Sequence, residues 1–214
     1  MKQIKPNYKP IKIDVPDHVI QMAKEEQKLF DKECNFNSTK KDVENQIESG
    51  YICEYAFIIY AQQNGYKVKH NRTFKQGNGF DVWIESEGKQ IEVEIKSKQF
   101  YVNYAPKGNW NFPLYMKEWV KLFDYYQHND KVPLFVAMGY NPKTKTVYLY
   151  GVTRPHLIRE AWKSGDQNRA FHYFIGDLLG PKTPAKSDGI AIKFSEFYSF
   201  NDLYNLLNLK MPTL

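Results

Sequence analysis

The chain has 214 residues and a formal net charge of +6, with 42% hydrophobic and 25% charged residues. This balance excludes wholesale disorder and suffices for a hydrophobic core without disulfide or metal staples, so one domain, or a domain with an appendage, is expected. Cys34 and Cys53 alone exclude a disulfide framework or a cysteine-built zinc site. No apolar run approaches the roughly 20 residues of a membrane span, and the opening MKQIKPNYKPIKIDVPDH lacks a signal-peptide core, so a soluble, cytoplasmic protein is expected. A pI of about 9.0 is compatible with a polyanionic partner.

Residues 1–15 read as extended. Pro16-Asp17 opens a predicted helix to about residue 32, carrying Val19, Met22, Ala23 and Leu29 near helical spacing. A second helix starts near Ser38-Thr39, is expected to break or bend at Gly50, and ends at Asn64-Gly65. The period then changes to two, predicting strands at 66–74, 79–85 and 90–97. An aromatic stretch at 99–113 precedes a predicted helix at 114–128, then strands at 132–140 and 146–152. Helices at about 154–164 and 168–179, a strand at 190–194 and a helix at 200–208 complete the reading. The order is that of an α+β protein, or α/β with a mixed sheet.

The informative segment is Ile91-Glu92-Val93-Glu94-Ile95-Lys96. Successive strand side chains point to opposite faces, so Ile91, Val93 and Ile95 enter the core while Glu92, Glu94 and Lys96 share the other face. Phe80-Asp81-Val82-Trp83-Ile84-Glu85 alternates likewise. A tight turn at 86–89 pairs Phe80 with Ile95, Val82 with Val93 and Ile84 with Ile91, and sets Asp81 across from Glu94. A one-residue slip would put charges in the core. Opposed carboxylates about 4.5–5.5 Å apart at Cβ need a cation or a shared proton. A hard divalent ion such as Mg²⁺, which takes oxygen ligands, would satisfy them. Glu54 is the one charged residue between Gly50 and Lys67. It either faces solvent at a gap in the packing or points at positive charge over the sheet, which would join it to Asp81 and Glu94.

With Gly50-x-x-x-Glu54, Gly79-Phe80-Asp81 and Glu94-Ile95-Lys96-Ser97 in place, the chain resembles the PD-(D/E)XK nuclease superfamily. Its first helix, ending in Gly65-Tyr66-Lys67-Val68, is similar to that of Holliday-junction resolvases. Of three Glu-x-Lys copies, Glu26-Gln27-Lys28 falls in a predicted polar helix and Glu87-Gly88-Lys89 in a turn; only the third lies in an alternating strand. The resemblance implies a restriction-endonuclease-like core at 47–152, with a mixed sheet of about five strands flanked by helices. It leaves 1–46 as an N-terminal helical extension and 153–214 as a C-terminal accessory segment packed on the core. It further implies that Asp81, Glu94 and the backbone carbonyl of Ile95 ligate Mg²⁺, for which Mn²⁺ can substitute. Glu54 would join through water or hold a second ion, and Lys96 would orient or deprotonate the attacking water.

The implied activity is metal-dependent endonucleolytic cleavage of DNA, double-stranded by expectation, in a restriction-like or phage-associated setting. A homodimer would suit cleavage of both strands. A Holliday-junction resolvase and a catalytically inactive nucleic-acid- or protein-binding module are the alternatives. Lys98, Tyr101, Tyr104, Lys107 and Trp110 mix rings and cations as nucleic-acid-contacting loops do, although packing of a long connection accounts for them equally. Glu92 reads as a surface charge at the edge of the site. His70 reads as an ordinary strand or turn residue, since the histidines show no metal-ligand spacing, and Cys53 as a small buried apolar side chain.

Overall fold

The structure is a computed structural model and describes residues 10–34, 41–71, 80–86, 88–97, 111–115, 134–180, 183–184 and 188–203. In chain order these form β1 (Ile11–Asp14), α1 (Asp17–Cys34), α2 (Lys41–Gln63), β2 (Lys67–His70), β3 (Val82–Ser86), β4 (Lys89–Ser97) and β5 (Asn111–Tyr115). There follow β6 (Leu134–Asn141), β7 (Thr146–Thr153), α3 (Pro155–Lys163), β8 (Ala170–Tyr173), β9 (Leu178–Gly180), β10 (Thr183–Pro184) and β11 (Gly189–Lys193). Three sheets result, with strand orders β1-β7-β6-β4-β3-β2, β5-β11-β8 and β10-β9. The expected architecture, a mixed sheet flanked by helices, is the one found. The large sheet has six strands because the N-terminal segment adds β1, antiparallel to β7. No described helix is long and apolar enough to cross a membrane.

The chain divides into two compact units. The first comprises Pro10–Asn103 and Val136–Tyr150. Its long helix α2 packs on α1, β2 and β4, burying Ile52, Cys53, Ala56, Phe57 and Ala61 beside the sheet residues Val82, Ile84 and Val93. Each large apolar side chain so buried contributes about 1.5–3 kcal/mol. No break occurs at Gly50, and α2 runs unbroken from Lys41 to Gln63. A glycine in a helix interior costs only about 1 kcal/mol relative to alanine, which the burial of Ile52, Ala56 and Phe57 after it exceeds. The helix stops at Gly65, whose φ of 86° few other residues tolerate. Its amide donates to Gln62, and Tyr66 N–H reaches back to the Ala61 carbonyl.

Strands β2, β3 and β4 form an antiparallel meander. The expected register holds, with Val82 opposite Val93, Ile84 opposite Ile91, and Ser86 opposite Lys89 across a two-residue turn. One expectation of exposure fails: Glu92 is 3% exposed rather than on an open surface, and Glu26 and Gln27 of the polar helix α1 are also buried. Alternation tells which face a residue takes, whereas what covers that face is decided by elements distant in sequence.

The second unit comprises Met1–Lys9, Tyr104–Phe135 and Gly151–Leu214. Strand β11 lies between β5 and β8, antiparallel to both. The helix expected at 168–179 is therefore strand β8 followed by a turn. Ala170 and Tyr173 are buried while His172 is exposed, and the run Ala-Phe-His-Tyr-Phe carries the aromatic side chains that pack well on a pleated surface. Gly176, at φ 93°, and Asp177, whose carboxylate accepts the Phe174 N–H at 2.8 Å, turn the chain. Likewise 114–115, expected to open a helix, end β5; residues 116–128 lie outside the described residues. Phe112, Phe135, Phe194 and Phe197 pack edge-on or tilted around one another in the core of this unit.

Candidate active site

Asp81 sits one residue before β3, where the ladder with β4 has already ended. Its N–H donates to the Val93 carbonyl at 2.9 Å, and its own carbonyl accepts the Asn71 N–H at 2.9 Å. Asp81 is thus not a regular cross-strand partner of Glu94. Its carboxylate instead reaches across and accepts the Ile95 N–H at 2.6 Å, standing in for a strand carbonyl. Asn71 closes this corner by donating its side-chain amide to the Phe80 carbonyl at 2.8 Å.

Glu94 and Lys96, two apart on β4, form an ion pair on one face of the strand. The Glu94 residue is 9% exposed. Glu54, one turn past Gly50 on α2, brings its carboxylate into the same field. Burial pushes the Asp81 carboxyl well above the ordinary carboxylate range, and the charges of Glu94 and Glu54 push it further. The Lys96 charge and the Ile95 N–H oppose them. Asp81, Glu94, Glu54, Lys96 and the Ile95 backbone, singled out in the sequence, are therefore electrostatic neighbours. Of the two alternatives for Glu54, solvent exposure fails: its side chain is 13% exposed and meets His70.

Sequence reasoning missed His70. Its Nε2 lies 2.8 Å from Glu54 Oε2, and both side chains are nearly buried. The available signal was the two-residue period of β2, which puts His70 on the same face as buried Val68. Tyr55 adjoins this pair, with its ring 5.1 Å from that of His70 and its hydroxyl donating to Glu26 Oε2 at 3.2 Å. Cys53 behaves as expected of a small buried side chain. Burial, reinforced by the Glu54 charge, pushes its thiol up, against a hydrogen bond with Ser97. A thiol so disfavoured as thiolate is no nucleophile. Lys98, Tyr101, Tyr104, Lys107 and Trp110 lie outside the described residues.

The donor set is made of hard oxygens, buried Glu94 and half-buried Asp81 and Glu54. It suits a hard dication in kind. Among the described residues, no three His, Cys, Asp or Glu side chains are drawn together around a single point where an ion could sit. The carboxylates are tied instead to Lys96, to His70 and to the Ile95 amide.

No family model matches the chain, and no curated protein matches it. Among solved structures it is similar to Hjc, a Holliday junction resolvase from the archaeal hyperthermophile Archaeoglobus fulgidus. The TM-score is 0.37 and the identity 7%, over 73% of this chain and 95% of that one. A likeness that loose identifies neither a family nor an activity.

Proposed function

We propose that this protein is a metal-dependent nuclease of the PD-(D/E)XK type that hydrolyses phosphodiesters in DNA, acting as an endonuclease on duplex substrate. The observation that carries this reading is the environment of Asp81. A half-buried carboxyl that accepts the Ile95 N–H beside Glu94 and Glu54, with Lys96 the described cation at its edge, is unfavourable for the fold alone and suited to a cationic partner. Asp81, Glu94 and the Ile95 carbonyl would hold Mg²⁺ or Mn²⁺, with Glu54 beside them through water. The ion, when bound, would polarise the phosphodiester and acidify water.

The chain's own groups supply the rest. The Ile95 amide fixes the Asp81 carboxylate. Lys96, whose ammonium rests on Glu94, would donate to a phosphate oxygen or to the attacking water when Glu94 holds a metal ion instead. A homodimer, with one such site per strand, would cut both strands of a duplex.

The test is a cleavage assay with and without Mg²⁺ or Mn²⁺ on supercoiled plasmid, linear duplex, single-stranded DNA, RNA and a four-way junction. Metal-dependent cutting of duplex, lost in Glu94→Ala and Lys96→Ala, is the expected result. Preference for the junction would make the protein a resolvase. No cutting of any substrate would end the nuclease reading and leave a binding module.

A further inference from the structure

His70 is not one of the four residues of the site just described, but its side chain rests on one of them, Glu54. Glu54 lies on α2 and His70 on β2, and their side chains meet at 2.8 Å with 13% and 10% exposure. A carboxylate only accepts hydrogen bonds, so Nε2 of the ring carries the hydrogen. The other ring nitrogen, Nδ1, is buried and has no hydrogen-bond partner among the described residues. A packing role alone would be served as well by phenylalanine, without the cost of a buried unpartnered nitrogen. What histidine adds is the Nε2–H aimed at Glu54. The ring is itself backed by Tyr55, whose hydroxyl is anchored on buried Glu26 of α1.

We infer that His70 is a positioning residue for the acidic site. Its Nε2–H holds the Glu54 carboxylate in the field of Asp81, and the Tyr55–Glu26 contact holds the ring. A glutamate side chain otherwise has free rotamers, and a carboxylate in the field of Asp81 would swing away from it. One 2.8 Å hydrogen bond from a stiff side chain removes that freedom. The inference rests on the reading of Asp81, Glu94 and Glu54 as an ion-binding centre, and concerns how this chain keeps the third carboxylate in place.

The experiment is calorimetric titration of Mn²⁺ into wild type, His70→Phe and His70→Gln, with thermal melts of each. Removing a group that orients a carboxylate beside an ion costs about 10- to 100-fold in affinity. His70→Phe is expected to lose that much while melting near wild type. His70→Gln, whose amide can still donate, is expected to recover most of it. Equal Mn²⁺ affinity in wild type and His70→Phe would overturn the inference and leave the site standing. No Mn²⁺ binding by wild type would overturn the nuclease reading and this inference with it. Should His70→Phe fail to fold, the wild-type protein decides through its long-range ¹H–¹⁵N imidazole spectrum. A hydrogen on Nε2 and a His70 signal that moves on adding Mg²⁺ are expected; a hydrogen on Nδ1 alone, or a signal unmoved by saturating Mg²⁺, would overturn it.

Discussion

Glu196, in the second unit, and Asp81, in the first, are both acids taken largely out of water, and their surroundings differ in kind. Glu196 is 6% exposed and accepts two hydrogen bonds from Arg169, at 3.1 Å from Nε and 2.8 Å from Nη2. Its backbone carbonyl also accepts the Thr153 hydroxyl at 3.1 Å. The bond to Glu196 holds the Arg169 guanidinium above its ordinary range, partial burial notwithstanding. This is a carboxylate whose charge is matched on the spot by a planar donor of the right shape. Asp81 has one amide and a share of one lysine set against two other carboxylates. The contrast separates a carboxylate matched by its own guanidinium from a cluster in which, among the described residues, Asp81 lies beside two other carboxylates with only Lys96 and one amide opposing them.

Breaking each in turn should give opposite phenotypes. Lys96→Ala is expected to cost about 10²- to 10⁴-fold in metal-dependent cleavage, the range for a positioned proton-transfer group, with little change in melting. Glu196→Gln should do the reverse. It is expected to lose about 1–2 kcal/mol, discounted because Arg169 is about a third exposed, and to keep its cleavage rate. Denaturant melts beside a plasmid assay check both. A stability loss in Lys96→Ala matching that of Glu196→Gln would erase the distinction.

The pH dependence sharpens it. Burial, then the charges of Glu94 and Glu54, raise Asp81 above the unfolded value near 3.8, so the fold retains that proton as pH rises. The stability linked to it is fully present below the unfolded value and is lost as pH climbs through the raised folded one. Metal-free wild type should therefore lose stability across that window, while Asp81→Asn, which keeps an acceptor for the Ile95 amide, should not. In chelator at neutral pH the variant should melt above wild type, and added Mg²⁺ should raise only the wild type. Thermal melts against pH measure this. The smallest effect is expected at Gly50, where a Cβ would meet nothing within 4 Å. Gly50→Ala should stabilise α2 by about 0.5–1 kcal/mol in denaturant melts and leave cleavage unchanged.

The meander register was legible because alternation on both strands and a short turn allow only one pairing that keeps charge out of the core. The grouping of Asp81, Glu94 and Lys96 followed from it, although the ladder stops at Val82 and Asp81 reaches β4 through its side chain. The unbroken course of α2 was not legible, since a glycine's local preference is overruled by packing. Strand β8 was misread because a short aromatic run fits helical and strand spacing alike, and its pairing with β11 arises from residues far along the chain. His70 was read as an ordinary strand or turn residue because the period of β2 gives its face but not its partner, which sits on another element.

The most direct test of the central claim is nicking of supercoiled plasmid by the wild-type protein in Mn²⁺, compared with the same protein in chelator and with Glu94→Ala in Mn²⁺. Nicking that requires the ion and disappears in Glu94→Ala is the predicted result. Nicking that survives either the chelator or the substitution would contradict an active centre at Asp81, Glu94, Glu54 and Lys96.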